Sequence, residues 1–355
     1  MSQKDGVINA INHEISLCDV IDKNEKINTI YFGGGTPSLI SSEELMSILA
    51  SIHKKFVIAE DAEITLEANP DNINNKSLMH WKGMGVNRLS VGIQSFVDRE
   101  LKWMNRAHTA AESHNCIDEI LQAGFTNFSV DLIYGSPLQS NDDFKKNVDI
   151  IFNKNVPHIS CYALTVEPKT ALNAMIRKNP LIKINSDNQS VAFLSLMQWM
   201  RSAGYEHYEI SNFAKPGMRS GHNSAYWKGI PYYGFGPSAH SFDGDTIRRW
   251  NVANNSTYIQ SLSNGLVPYT EEVLTKTQQV NEYIMISLRT MEGIDLDKVE
   301  TLFGEMIKNE ILLQSKKYID FGNLKLNNNM LTLTDNGKLL ADGIAAALFF
   351  SDVAS

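Results

Sequence analysis

Apolar residues along this chain alternate between two rhythms, one with the period of a helix and one with the period of a strand. Val7, Ile8, Ile11, Ile15 and Cys18 fall at helical spacing and predict an amphipathic helix over 7–20. The short run Thr29-Ile30-Tyr31-Phe32 then reads as a strand that stops at Gly33-Gly34-Gly35-Thr36-Pro37. Ser41 or Ser42 is placed to cap a helix carrying Leu45, Ile48 and Leu49. Further strands are predicted at 63–68, 88–94, 128–133, 158–163 and 206–210, with helices over 110–123, 142–152 and 186–203 between them. Six strands alternating with helices imply a parallel sheet wrapped by helices.

Side-chain parity then separates a barrel from a flat sheet. Successive strand residues point to opposite faces. Leu89, Val91 and Ile93 share one face, and Ser90, Gly92 and Gln94 the other. Phe128, Val130 and Leu132 oppose Ser129 and Asp131, and Ile64 and Leu66 oppose Thr65 and Glu67. A strand buried between two helix layers is apolar on both faces. These strands have one apolar face for outer helices and one small or polar face for a lumen that holds a ligand. The predicted fold is α/β, a partial, open TIM-type barrel over 1–245. Beyond Asp245, Gly and Asn mark a looser connection, read as a linker over 246–270. A helix over 272–291, another from Leu296 or Val299, a hairpin of 324–326 with 330–333 and a helix over 338–349 suggest a mainly helical, winged-helix-like domain over 271–355.

Composition narrows the class of protein. The chain has 355 residues, 43% hydrophobic and 20% charged, with a formal net charge of −8. This acidic balance argues against a nucleic-acid partner. No apolar run of membrane-spanning length or signal-like N-terminus is evident, and a cytoplasmic protein is expected. Its 3 cysteines, Cys18, Cys116 and Cys161, lie far apart and form no C-x-x-C pair. Neither a local metal loop nor a disulfide framework is signalled, and buried packing thiols are the plain reading.

Polar residues gather where the predicted strands end. Gly33, Gly34, Gly35 and Thr36 follow the first, Glu67 lies near the end of the second, Gln94 ends the third and Asp131 sits late in the fourth, with Arg106 in a connecting segment. The C-terminal rim is where barrels of this kind hold ligands. The glycines let a backbone approach a ligand closely. The carboxylates can accept from an ammonium or ribose hydroxyls, and Arg106 can clamp a carboxylate. Together they describe a zwitterionic ligand bearing a sugar. The alternatives are a plain glycine turn, and helix caps or ion pairs of Glu67 and Asp131 with Arg88 and Arg106.

These segments also carry a family resemblance. Gly33-Gly34-Gly35-Thr36-Pro37-Ser38, Leu66-Glu67-Ala68-Asn69-Pro70, the run from Asn87 to Phe96, and Asp131-Leu132-Ile133-Tyr134-Gly135 resemble the oxygen-independent coproporphyrinogen III oxidase family of radical S-adenosylmethionine proteins. His222-Asn223-Ser224-Ala225-Tyr226-Trp227 is similar to the H-N-x-x-Y-W motif of that family's haem-chaperone branch. The resemblance implies that Gly34, Gly35, Thr36, Glu67, Gln94, Arg106, Asp131 and Ile133 bind S-adenosylmethionine, with Gly35 and Thr36 at the methionine moiety and Ile133 near the adenine. It associates His222 with haem, a fixed structural histidine being the alternative. Gly236-Pro237-Ser238-Ala239-His240 also resembles the family, a structural role for His240 being the alternative, and Tyr232 and Tyr233 read as packing. It further implies haem or porphyrin as ligand, an acceptor protein as partner, and peripheral contact with a membrane. Porphyrinogen oxidation is the alternative activity. Family members carry a C-x-x-x-C-x-x-C loop for a 4Fe-4S cluster after a first strand, and this chain opens with the helix that follows it. It is therefore expected to hold no cluster, to lack radical activity and to expose a barrel edge.

Overall fold

A computed structural model describes residues 3–20, 25–167, 170–178 and 184–351. Five parallel strands form the body of the sheet: β1 (Lys26–Phe32), β2 (Val57–Ala68), β3 (Arg88–Gln94), β4 (Phe128–Tyr134) and β5 (His158–Ala163). They are parallel because a helix returns the chain each time. Helices Ser42–Lys55, Asn75–Gly83 and Ala110–Gln122 start from capping boxes at Ser41, Asn74 and Thr109, and Asn141–Asn153 from Ser140. Their apolar faces, including Leu45, Ile48, Ile117, Ile120, Phe144 and Val148, bury the outer sides of Leu66, Leu89, Val91, Phe128 and Val130 in one core. The opposite faces of the strands stay polar, and the sheet curls into a half-barrel around them.

The sheet closes differently from the all-parallel expectation. The strand expected at 206–210 is β6 (Glu206–Glu209), but the chain turns back at once into β7 (Asn212–Ala214). β7 inserts between β5 and β6 and pairs antiparallel with both, giving the order β1-β2-β3-β4-β5-β7-β6. Buried Phe213 and Ala214 fill the space beside β5. Two residues between the strands leave no room for a crossover helix, so only an antiparallel hairpin is possible.

The stretch expected as a linker is folded. β8 (His240–Phe242), β9 (Ile247–Asn251) and β10 (Tyr269–Val273) form a three-stranded antiparallel sheet, with helix Asn255–Ser263 between β9 and β10. Tyr258 and Leu262 of that helix are buried against the first helix, Gln3–Leu17. Buried Glu14 of the first helix accepts from Asn251 at 2.6 Å and from the Gly236 N–H at 2.9 Å. The helix expected over 272–291 begins later, at Lys276, from a Thr275 capping box, because Val273 still belongs to β10.

The C-terminal region has its own core around Ile284, Leu288, Leu296, Ile311 and Leu331. β11 (Ile294–Asp295), β12 (Leu324–Asn327) and β13 (Met330–Leu333) form a sheet of order β11-β13-β12 beside helices Leu296–Phe303 and Glu305–Asp320. Asn328 and Asn329 turn the hairpin with φ of 48° and 61°, the left-handed pair that a tight two-residue turn requires. The helix expected over 338–349 is split into Asp335–Lys338 and Ala341–Ala347. Lys338 donates to His207 Nδ1 at 2.9 Å, and the Ile210 N–H donates to the Arg289 carbonyl at 3.0 Å, tying this region to β6 and its turn. Among the described residues, no helix is long and apolar enough to cross a membrane.

Candidate functional site

The ends of β1 to β4 bring the sequence-predicted rim residues together. Gly34 and Gly35 have φ of 79° and 68°, and a Cβ at either would meet no atom within 4 Å. Glycine is needed there for conformation, and the loop stays open on the ligand side. The Gly34 N–H donates to one Glu67 oxygen at 3.1 Å, and the Tyr31 hydroxyl donates to the other at 2.7 Å. Thr36 precedes the short turn Pro37–Leu39 and its side chain makes no capping bond.

Gly92 is the pivot of the next part of the rim. A Cβ there would lie 3.1 Å from Gln94 Nε2, 3.3 Å from Arg106 Nη2 and 3.6 Å from Asn69 Oδ1, so these three side chains converge over bare backbone. Gln94 has φ of 68°, which turns the end of β3 and shifts its register against β4. Arg106 Nη2 donates to Asn69 Oδ1 at 2.8 Å and to the Gly92 carbonyl at 3.0 Å, while its Nε is buried with no partner. Asp131 lies on the same side of β4 as Ile133. Burial pushes the Asp131 carboxyl up to about 7; a hydrogen bond with Ser160 opposes the shift and nearby Glu67 adds to it. The rim thus offers two carboxyls, a guanidinium with an open donor, an amide and two exposed glycines. The orphaned Arg106 Nε and the uncrowded glycines fit a carboxylate-bearing, nucleoside-type ligand such as S-adenosylmethionine.

Below the rim, the same face of the barrel meets the helix Gly221–Trp227. Glu63, on the lumen face of β2, accepts from the Gly221 and His222 N–H groups at 2.9 and 3.0 Å, and the fully buried Arg88 lies 3.7 Å from it. Ser220 caps the helix by accepting from the Asn223 N–H. His222 is thereby pressed against β1. Its Nδ1 is 2.9 Å from Thr29 Oγ1, and its ring stacks on Tyr31 at 4.7 Å between centroids. Burial brings the imidazole pKa down to about 4; Glu63 opposes and Arg88 reinforces that shift. Tyr31 therefore touches both the rim, through Glu67, and His222.

On the far side of Tyr226 a cavity of about 490 Å³ opens between the half-barrel and the C-terminal region, lined by Tyr226 and Trp227 of this helix together with Tyr162, Tyr232 and Arg289. Tyr233 instead packs on Phe56, and His240 stacks on Trp250.

The three cysteines do not fit a cluster nest. Cys18 follows the first helix, Cys116 lies on the outer helix Ala110–Gln122 and Cys161 on β5. Burial pushes the thiols of Cys18 and Cys116 up to about 11 and 12, and that of Cys161 up further, against the thiolate form that iron requires. Among the described residues, no group of three or more His, Cys, Asp or Glu is placed to hold a metal ion.

Sequence reasoning missed Tyr31, Glu63, Asn69 and Arg289. Parity held a signal for the first two, since Tyr31 alternates with Ile30 and Glu63 shares a face with Thr65 and Glu67. Asn69 stands in the Leu66–Pro70 segment that carries the family resemblance, although its partner Arg106 is distant in the chain, and Arg289 gave no signal.

Comparison with known proteins places these features. Residues 15–151 match the Radical SAM superfamily and residues 274–340 the HemN C-terminal domain. The heme chaperone HemW of Mycobacterium tuberculosis is 33% identical over 96% of this chain and 85% of its own length. That of Bacillus subtilis is 32% identical over 97% of this chain and 91% of its own. Among solved structures, the coproporphyrinogen III oxidase HemN of Escherichia coli superposes with a TM-score of 0.83 over 98% of this chain and 84% of that chain, at 21% identity, which is a likeness of fold.

Proposed function

The chain belongs to the heme chaperone HemW family of radical SAM proteins, and from that premise we propose that it binds S-adenosylmethionine at the half-barrel rim, binds haem at the Gly221–Trp227 helix, and hands haem to an acceptor protein in the cytoplasm. At the rim, Arg106 orients the methionine carboxylate through its open donor. Glu67 and Asp131 accept from the ammonium and the ribose, the Gly34 and Gly35 backbone lies against the methionine, and Ile133 covers the adenine. When bound, this ligand supplies a sulfonium cation, which the two carboxyls favour. The three cysteines do not fit an iron–sulfur cluster, and no step is assigned to one.

The observation that carries the haem reading is the fixed, neutral His222. Thr29 holds its Nδ1, and burial keeps it unprotonated at neutral pH. Neutral imidazole is the form that meets haem iron. Tyr31 links this histidine to Glu67, so the two proposed ligands share one bridging side chain. The test is a haem titration of the purified chain followed by mixing with apomyoglobin. A saturable Soret band that moves to the acceptor is expected. Absence of haem binding, or decarboxylation of coproporphyrinogen III by the chain, overturns the reading.

A further inference from the structure

We propose that the outer face of helix Glu305–Asp320 joins this chain to a second copy of itself, as an antiparallel helix pair about a two-fold axis at Leu313. The pairing rests on surface chemistry alone and holds whether or not the chain binds haem. The helix turns Ile311 and Ser315 inward, and both are buried. A surface helix ordinarily carries polar residues on the side away from its core. Here that side carries Met306, 86% exposed, and Leu313, 67% exposed, with Phe321 just past the helix end at 78%. These are the three most exposed large apolar side chains among the described residues. Leu313 follows Met306 by two helical turns, and Phe321 lies about two turns further on, so the three run along one side. Single apolar residues on a surface are normal, whereas a line of them along one helix marks a contact.

The charges along this line select the occupant. Glu310 lies one turn before Leu313, and Lys316 and Lys317 lie one turn after it. Among the described residues, the ion pairs of this helix run from Lys308 to Asp297 and Glu300, while Glu310 accepts from Gln314 Nε2 at 2.8 Å. Glu310, Lys316 and Lys317 therefore keep their charges for a partner. An antiparallel second copy, with Leu313 against Leu313, sets Glu310 against Lys316 and Lys317 of the other copy and Met306 against the Phe321 end. The two-fold makes each of these contacts twice. A parallel copy would set Glu310 against Glu310 and lysine against lysine, so charge fixes the direction. An anionic membrane surface is the poorer fit, because Glu305, Glu310 and Asp320 accompany the apolar line. The helix has 16 residues and is about 24 Å long, so the contact is small and the dimer a weak, reversible one.

The test is sedimentation velocity of the full chain from about 2 to about 200 µM, the range of a weak association. Wild type is expected to pass from monomer to dimer as concentration rises. Leu313→Glu places like charges across the axis and is expected to stay monomeric, with thermal melts confirming that this exposed change leaves the fold intact. Glu310→Lys alone and Lys317→Glu alone are each expected to weaken the dimer about fivefold or more. The double variant Glu310→Lys/Lys317→Glu is expected to recover it, because the exchange rebuilds the opposite-charge pair between copies. A monomer at every concentration, a dimer that survives Leu313→Glu, or a double variant no stronger than the singles overturns the proposal. So does a monomeric chain that binds phosphatidylglycerol vesicles and loses that binding in Leu313→Glu, which would give this face to a membrane.

Discussion

Asp131 and Tyr31 show how single side chains tune the rim. The folded-state pKa of Asp131, about 7, lies above its ordinary value of 3.8. Between these values the folded protein keeps a proton that the unfolded chain has released. Stability therefore falls as pH rises through that window, and the full penalty applies above pH 7. Asp131→Asn is expected to remove it, raising unfolding free energy at pH 8 by roughly 1–2 kcal/mol after discount for partial exposure, with the gain vanishing near pH 4. Denaturant titrations at the two pH values check this, and the same variant should bind S-adenosylmethionine more weakly. Tyr31→Phe keeps the stack on His222 and deletes the bond to Glu67. It is expected to weaken S-adenosylmethionine binding about five- to tenfold by calorimetry while haem binding changes less. A larger effect on haem than on S-adenosylmethionine would show that the hydroxyl serves the haem site rather than the rim. Glu67, Gln94 and Asp131 were legible in the sequence because strand parity and strand ends are local properties. Tyr31 was harder to read, since its importance comes from a carboxylate 36 residues away.

At the scale of elements, the Gly221–Trp227 helix is too short to stand alone. Glu63 at its N-terminus, the Ser220 cap and the contact of His222 with β1 hold it in place. His222 has a folded-state pKa of about 4, below its ordinary 6.5. Its burial contributes stability fully above pH 6.5, and that contribution is lost as pH falls toward 4. Acidification from pH 7 to 4.5 is therefore expected to loosen this helix before the barrel unfolds. A shift in Trp227 fluorescence ahead of the far-ultraviolet transition checks this, and His222→Gln should flatten the early phase. The parallel strands and their capped helices follow from periodicity and from Ser, Thr and Asn at helix starts. The β6–β7 hairpin and the sheet of β8 to β10 did not. Their strands are three to five residues long, and Asn251 and Tyr258 find their partner in Glu14, at the other end of the chain.

For the whole molecule, the half-barrel and the C-terminal core meet through Arg289, Lys338 and the turn after β6, and the aromatic cavity lies between them. The cysteines make a prediction at this scale. Anaerobic reconstitution of this chain with iron and sulfide is expected to give no iron–sulfur absorption near 400 nm, because Cys116 and Cys161 are buried on separate elements and half-buried Cys18 lies beyond the first helix. A stable brown protein would show that they can be recruited. Alternation along β2, β3 and β4, glycines at a strand end and carboxyls on the lumen face are written into consecutive residues, so an open barrel with a polar rim could be read before any coordinates. The helix pinned by Glu63, the ring stack joining Tyr31 to His222 and the cavity under Arg289 depend on residues far apart in the chain. Only the folded chain brings such residues together, because long-range proximity is set by packing and leaves no periodic trace in the sequence.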